Sequence, residues 1–216
     1  MNIDIFDDKY RYVGTAGKKE AHQKGLWHHV FTAIVLLKES QTIVLQRKAP
    51  GRYEFDRPDS VDISVGGHLD SGEKIADGVR EIEEELGLKV QFEQLIPLGI
   101  RQTAATVAPD YIANEFQHIF LLPLEMKLED FRLPGGEVTG IVEVPLREGI
   151  DLLLDRRTDV RVRTLYVGEE GQRLEEGTLT KGDFTKAYIE LDQLFLRLFI
   201  AARRWSDKED PAQIFW

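Results

Sequence analysis

The apolar side chains Ile75, Val79, Ile82 and Leu86 fall at i, i+4, i+7 and i+11, which at 3.6 residues per turn makes one narrow buried stripe on a helix. Gly87 stands where a left-handed C-cap would end it. Upstream, the apolar runs 30–37 and 42–46 flank a turn-like 38–41 and predict a β-hairpin. Residues 2–14 alternate enough for a short hairpin around Asp7-Asp8, 18–24 reads as a brief polar helix or turn, and 61–65 as a short strand. Further strands are expected at 90–92, 95–101 and 116–122, with 102–113 as a long connection of the kind that lines sites. A strand at 137–144, a short helix at 146–154 and a hairpin at 158–182 follow, the last turning at 168–171. Finally, Tyr188, Leu191, Leu194, Phe195, Leu198 and Phe199 recur at helical spacing and predict one amphipathic helix over 184–205, packed on the sheet.

The polar side of the helix after residue 74 is as patterned as the apolar one. Glu81, Glu84 and Glu85, at i, i+3 and i+4, share an arc of roughly 100° on the helix wheel, while Glu83 points elsewhere. Three carboxylates on one patch repel one another unless positive charge is supplied. A hard divalent cation such as Mg²⁺ supplies it, taking a few protein oxygens and leaving positions for water and phosphate. Ahead of the helix, Gly66-Gly67 and Ser71-Gly72 give a loop whose backbone can approach a metal or phosphate closely. The helix alone therefore has two readings, a solvated acidic face and a metal-diphosphate site. Arg47, at the end of the second hairpin strand, likewise reads either as a phosphate-binding side chain or as a solvated strand end.

Composition narrows the rest. The 216 residues suit one domain with a substantial core. There are no cysteines, which removes disulfides, thiolate metal sites and cysteine nucleophiles together. A formal charge of −10 without a basic stripe argues against binding a nucleic acid polymer. No long apolar run and no basic-then-apolar N-terminus is seen, so neither a membrane span nor a signal peptide is expected and a cytoplasmic location is. The terminal Ile-Phe-Trp has two destinations, its own domain or a second subunit in a homodimer. The loop 48–60 and the segment 102–114 carry Tyr53, Phe55 and Tyr111, each able to cover a substrate group or simply to pack.

Gly67, Glu73, Arg80, Glu81, Ile82, Glu84, Glu85, Gly87 and Leu88 resemble the Nudix box, G-x5-E-x7-R-E-U-x-E-E-x-G-U with U apolar. Six residues instead of seven separate Glu73 from Arg80; the spacing from Arg80 onward is intact, and the role of Glu73 is what the short spacer puts in question. The resemblance implies an α/β fold, the Nudix α/β/α sandwich with a mixed, curved sheet, as a single domain over 1–216 with 158–216 as a hairpin-and-helix extension. It also implies a Mg²⁺- or Mn²⁺-dependent hydrolase of a small-molecule diphosphate joined to another moiety. Glu84 and Glu85 then bind metal, Glu81 is a further ligand or the water-orienting base, the carbonyl of Gly66 is a ligand, Gly67 belongs to the substrate loop, and Arg80 orients Glu73 or the loop.

EAHQKGLWHHVFTAIVL, ISVGGH and IANEFQHIF are similar in type and order to segments of type I isopentenyl diphosphate isomerase and its Nudix relatives. By position His28, His68 and Glu115 match that enzyme's metal ligands, His22 matches with one residue fewer before His28, and Ala113 stands where its other glutamate should be. The resemblance makes Glu115 a metal ligand or base and sets His68 against metal or phosphate. Gly66 occupies the position of the isomerase's essential cysteine, whereas the hydrolase acids are kept. An isomerase-like scaffold with hydrolase chemistry is expected; isomerisation and a non-catalytic diphosphate-binding domain are the alternatives.

Overall fold

The computed structural model describes residues 1–49, 60–136, 138–168, 171–210 and 213–214. The chain begins with a hairpin, β1 (Asn2–Phe6) and β2 (Tyr12–Gly17), then α1 (Lys18–Lys24), β3 (Trp27–Leu37) and β4 (Thr42–Lys48). Two short strands, β5 (Val61–Asp62) and β6 (Val65–His68), precede a 3₁₀ turn over Ile75–Gly78 that runs into α2 (Val79–Leu86). Next come β7 (Ile96–Ala108), β8 (Tyr111–Leu124), β9 (Val138–Pro145) and α3 (Leu146–Leu153). The chain ends with β10 (Val160–Gly168), β11 (Gly171–Leu179), α4 (Lys186–Glu190) and α5 (Leu194–Ser206).

Strand β3 is the centre. Ile34 and Leu36 enter one apolar layer with Phe195, Leu198 and Phe199 of α5; Phe31, Ala33, Val35 and Leu37 enter the other with Ile82 and Leu86 of α2. That alternation is the period-2 signature of a strand buried on both faces, and it sandwiches the sheet between helices. β8 runs parallel to β3, from His28↔Glu115 to Leu37↔Leu124. Three antiparallel partners follow one another along β3: β1 at Trp27 and His28, β6 at Val30–Ala33, and β4 at Val35–Leu37. β4 pairs with β3 only near the turn between them, so the two strands part and leave a cleft floored by β6. The mixed sheet is curved and unclosed, continuing through β4, β9, β10 and β11.

Several elements differ from the sequence pattern. Residues 61–65 are not one strand: β5 pairs with β4 and β6 with β3, so Gly66-Gly67 lies in a strand and not in the loop. No strand forms at 90–92, because Gln94 folds back on Gln91, whose backbone N–H donates to the Gln94 side chain at 2.7 Å. Residues 102–113 are no connection; β7 and β8 stay paired to Ala108↔Tyr111, and the Thr- and Ala-rich stretch lacks the apolar alternation that advertises a strand. The helix over 184–205 is two helices, parted where Gln193 takes φ 56° and the Asp192 carboxylate turns to Arg101. The hairpin of β10 and β11 is hydrogen-bonded to β9 and continues the main sheet. Ile214 is buried in the α5 layer of its own chain, while the expected loop 48–60 falls largely, and Phe215 and Trp216 wholly, outside the described residues. Among the described residues no helix is long and apolar enough to cross a membrane.

Gly78 ends the 3₁₀ turn against Phe31, and a Cβ there would lie 2.4 Å from that ring. Its φ of −60° suits any residue, so alanine would gain up to ~1 kcal/mol of helix propensity. Overpacking costs about 1–3 kcal/mol and outweighs that gain. Gly78→Ala is therefore expected to lower the melting temperature, with partial recovery when Phe31→Leu is added; an unchanged melt would show that the turn moves freely.

Candidate active site

The cleft between the parted strands measures about 710 Å³. On one wall α2 presents Glu81, Glu84 and Glu85. Glu81 and Glu85 are buried and Glu84 is exposed, so the acidic arc is not the solvated back of the helix but a flank turned into the cleft. Glu85 Oε2 accepts the backbone N–H of Gly66 at 3.0 Å and the Gln46 side-chain amide at 2.8 Å. Burial pushes its carboxyl up to about 7 in spite of Lys48. Glu81 is raised as well, chiefly by burial, with Arg80 opposing. Glu81 fills the space that a side chain at residue 67 would need: a Cβ on Gly67 would lie 2.0 Å from its carboxyl carbon.

Arg80 ties the box together. Its Nε and Nη2 donate to the two oxygens of Glu73 at 2.7 and 2.9 Å, Nη2 also to the His68 carbonyl at 3.0 Å, and Nη1 to Glu81 at 2.6 Å. The bidentate fork pulls Glu73 below the usual carboxylate range. The shorter spacer has not broken this pair, because the residues leading into α2 are wound as a 3₁₀ turn that brings Glu73 beside Arg80.

Across from α2, His68 and Glu115 line the cleft, and behind them they join a group built from four elements. His22 of α1, His28 of β3, His68 at the end of β6 and Glu115 of β8 offer ligand atoms all within 4.8 Å of one another. Their convergence follows from the sheet, since His28 is the rung partner of Glu115, and His68 that of Val30, two residues on. His22 and His28 place Nδ1 on the carbonyls of Ile112 (3.3 Å) and Leu26 (2.8 Å), leaving Nε2 to face the group. Nε2 of His22 and of His68 lie 3.0 Å apart, and His28 Nε2 is buried with no hydrogen-bond partner, 3.9 Å from Glu115. Burial lowers all three imidazoles, His22 to about 4, and raises Glu115 to about 7. Neutral imidazoles whose nitrogens converge, that of His28 without a hydrogen-bond partner, are a donor set that suits a divalent cation.

Of the residues singled out in the sequence, Gly66, Gly67, His68, Arg80, Glu81, Glu84, Glu85 and Glu115 all line this cleft, Glu115 grouped with the histidines and not with the α2 acids. Arg47 is not brought there; its guanidinium lies 5.9 Å over the Tyr166 ring of β10. Lys48, the next residue on β4, lines the cleft instead, 3.2 Å from Asp62, and Lys18 enters from the start of α1. Lys48 was legible as Arg47's neighbour on an alternating strand, whereas Lys18 carried no local signal.

A family model described as NUDIX domain matches residues 27–165, and the chain belongs to that family. It is a Nudix-type hydrolase, of a family that generally acts on small-molecule diphosphates with divalent metal ions. An uncharacterized Nudix hydrolase of Clostridium acetobutylicum is 34% identical over 186 residues, 84% of this chain and 88% of that protein. An isopentenyl-diphosphate Delta-isomerase of Streptomyces griseus is 32% identical over 122 residues, 55% of this chain and 59% of that one. A crystal structure from Deinococcus radiodurans superposes with a TM-score of 0.53 over 72% of this chain and 90% of its own, at 19% identity, a likeness of fold.

Proposed function

We propose that this chain, acting as a single domain, hydrolyses a small-molecule diphosphate ester by attack of water on phosphorus, with divalent cations held on both walls of the cleft. The observation that carries this reading is the meeting in one cleft of the α2 carboxylates, two lysines, and His68 and Glu115, the two members of the histidine group that reach it. Glu81, Glu84 and Glu85 with the Gly66 carbonyl form an oxygen-only set suited to Mg²⁺ or Mn²⁺. His22, His28, His68 and Glu115 suit a transition-metal ion. Bound there, such ions polarise phosphoryl oxygens and acidify water.

The chain's own groups do the remaining work. Glu81, oriented by Arg80, takes the proton of the attacking water, its raised pKa bringing it nearer to neutral pH as a base. Lys18 and Lys48 hold the non-bridging oxygens. Arg80, engaged with Glu73, Glu81 and the His68 carbonyl, keeps the loop in place without reaching substrate. Isomerisation is the second reading, favoured by the histidine group and opposed by Gly66 and the lack of any cysteine.

Phosphorus NMR of the protein with Mn²⁺ or Mg²⁺ and a panel of diphosphates, isopentenyl diphosphate and ADP-ribose among them, tests this. New phosphate resonances in the wild type and none with Glu84→Gln are expected. Conversion of isopentenyl to dimethylallyl diphosphate would transfer the site to isomerisation, and no cleavage of any member would overturn the hydrolytic reading.

A further inference from the structure

Beside the cleft, and sharing Asp62, Tyr111, Glu115 and Tyr188 with it, lies a side pocket of about 70 Å³. Its far wall is aliphatic: Val107 of β7, Ala113 of β8 and Ala187 of α4. Ala113 is two residues from Glu115 on the same strand, hence on the same face, and its small side chain leaves the space open. Most of the polar groups around the pocket are already committed, and the Glu115 carboxylate belongs to the histidine group. Arg101 forks onto Asp192 at 2.7 and 2.9 Å, donates to Gln117 and lies over the Tyr188 ring; the Thr185 hydroxyl donates to the Val61 carbonyl. The Thr103 hydroxyl is buried and has no hydrogen-bond partner. An unpaired buried hydroxyl is costly, and a ligand atom reaching it relieves that cost.

Size decides what enters. An apolar cavity of about 150 Å³ accommodates benzene, so this pocket admits the last three or so heavy atoms of a chain and no nucleobase. We propose that it takes the end of the group esterified to the diphosphate, and that it selects a short aliphatic chain bearing one hydrogen-bonding atom over a nucleoside. The proposal rests on the diphosphate reading of the cleft. Tyr111, stacked on His22, and Tyr188, held beneath Arg101, form the passage from the cleft to the pocket.

The test uses methylenediphosphonate esters, whose P–C–P linkage cannot be hydrolysed, and reads their affinities by calorimetry with Mn²⁺ present. The butyl, 4-hydroxybutyl and adenosyl esters are compared with unesterified methylenediphosphonate. The hydroxybutyl ester is expected to bind about tenfold tighter than the adenosyl ester. Ala113→Leu should cut the ratio of hydroxybutyl to unesterified affinity about tenfold, and the nearly isosteric Thr103→Val should bring the hydroxybutyl ester down to the butyl ester's affinity. An adenosyl ester binding as tightly as the hydroxybutyl ester, or ratios unmoved by both substitutions, would overturn the proposal. Because the probes are not cleaved, these ratios stand even where no diphosphate is hydrolysed, an outcome that removes the hydrolytic reading alone. Failure of unesterified methylenediphosphonate to bind removes both.

Discussion

Glu85→Gln is expected to lower kcat by about 10³-fold while leaving the fold intact. A ligand to a cation that stabilises phosphoryl charge contributes several kcal/mol to the transition state, and each 1.4 kcal/mol or so is a factor of ten. The fold survives because both hydrogen bonds to this side chain, from Gly66 N–H and the Gln46 amide, end on one oxygen, which a glutamine carbonyl replaces. Stability supplies a second readout with a definite sign. Burial raises the Glu85 carboxyl from 4.5 to about 7, so between those values the folded state holds a proton that the unfolded state has released. Metal-stripped wild type therefore loses stability as pH rises from about 4.5 to about 7, by up to roughly 3 kcal/mol from this group, and no more from it above that range. The glutamine variant lacks that loss. In EDTA at pH 8 it should melt several degrees above wild type, the order reversing when Mn²⁺ is added to both. Phosphate release and thermal melts at pH 5 and pH 8 measure the two effects. Retained turnover would remove Glu85 from the metal set, and a lower melting temperature in EDTA at pH 8 would show that its charge is stabilised in the fold.

The box was legible because its chemistry is local. Glu81 and Glu85 are one helical turn apart, Gly87 caps their helix at φ 70°, and Arg80 reaches Glu73 despite the missing residue. The hairpin of β3 and β4 beside it was legible from apolar runs of the kind that β3 buries on both faces. What could not be read depended on distant partners. His22, His28, His68 and Glu115 sit on four elements, and only the parallel pairing of β3 with β8 and the antiparallel pairing with β6 bring them together; position within a family offered them, but no spacing did. The break between α4 and α5 is set by a carboxylate whose partner, Arg101, lies 91 positions earlier. The exchange of Arg47 for Lys48 is a matter of one residue of strand phase: in a pleated strand a shift of one turns a side chain to the opposite face.

Gly67→Ala is expected to abolish turnover, by about 10²-fold or more, through a single added methyl group. Its Cβ would lie 2.0 Å from the carboxyl carbon of Glu81 and 2.2 and 2.3 Å from its oxygens, where non-bonded atoms cannot sit. Residue 67 cannot step back, since β6 is paired with β3 at Gly67↔Phe31 and Gly66 is bonded to Glu85. Glu81 must therefore leave its bond with Arg80, and the proposed base loses the orientation on which proton transfer depends. Adding Glu81→Ala removes the clash and separates packing from chemistry. The double variant should recover the melting temperature lost by Gly67→Ala, because the alanine methyl then fills space that the carboxylate vacated, yet it should remain as inactive as Glu81→Ala alone. Turnover by Gly67→Ala close to wild type would mean that Glu81 moves without consequence, and the base would then have to be sought at Glu115, across the cleft.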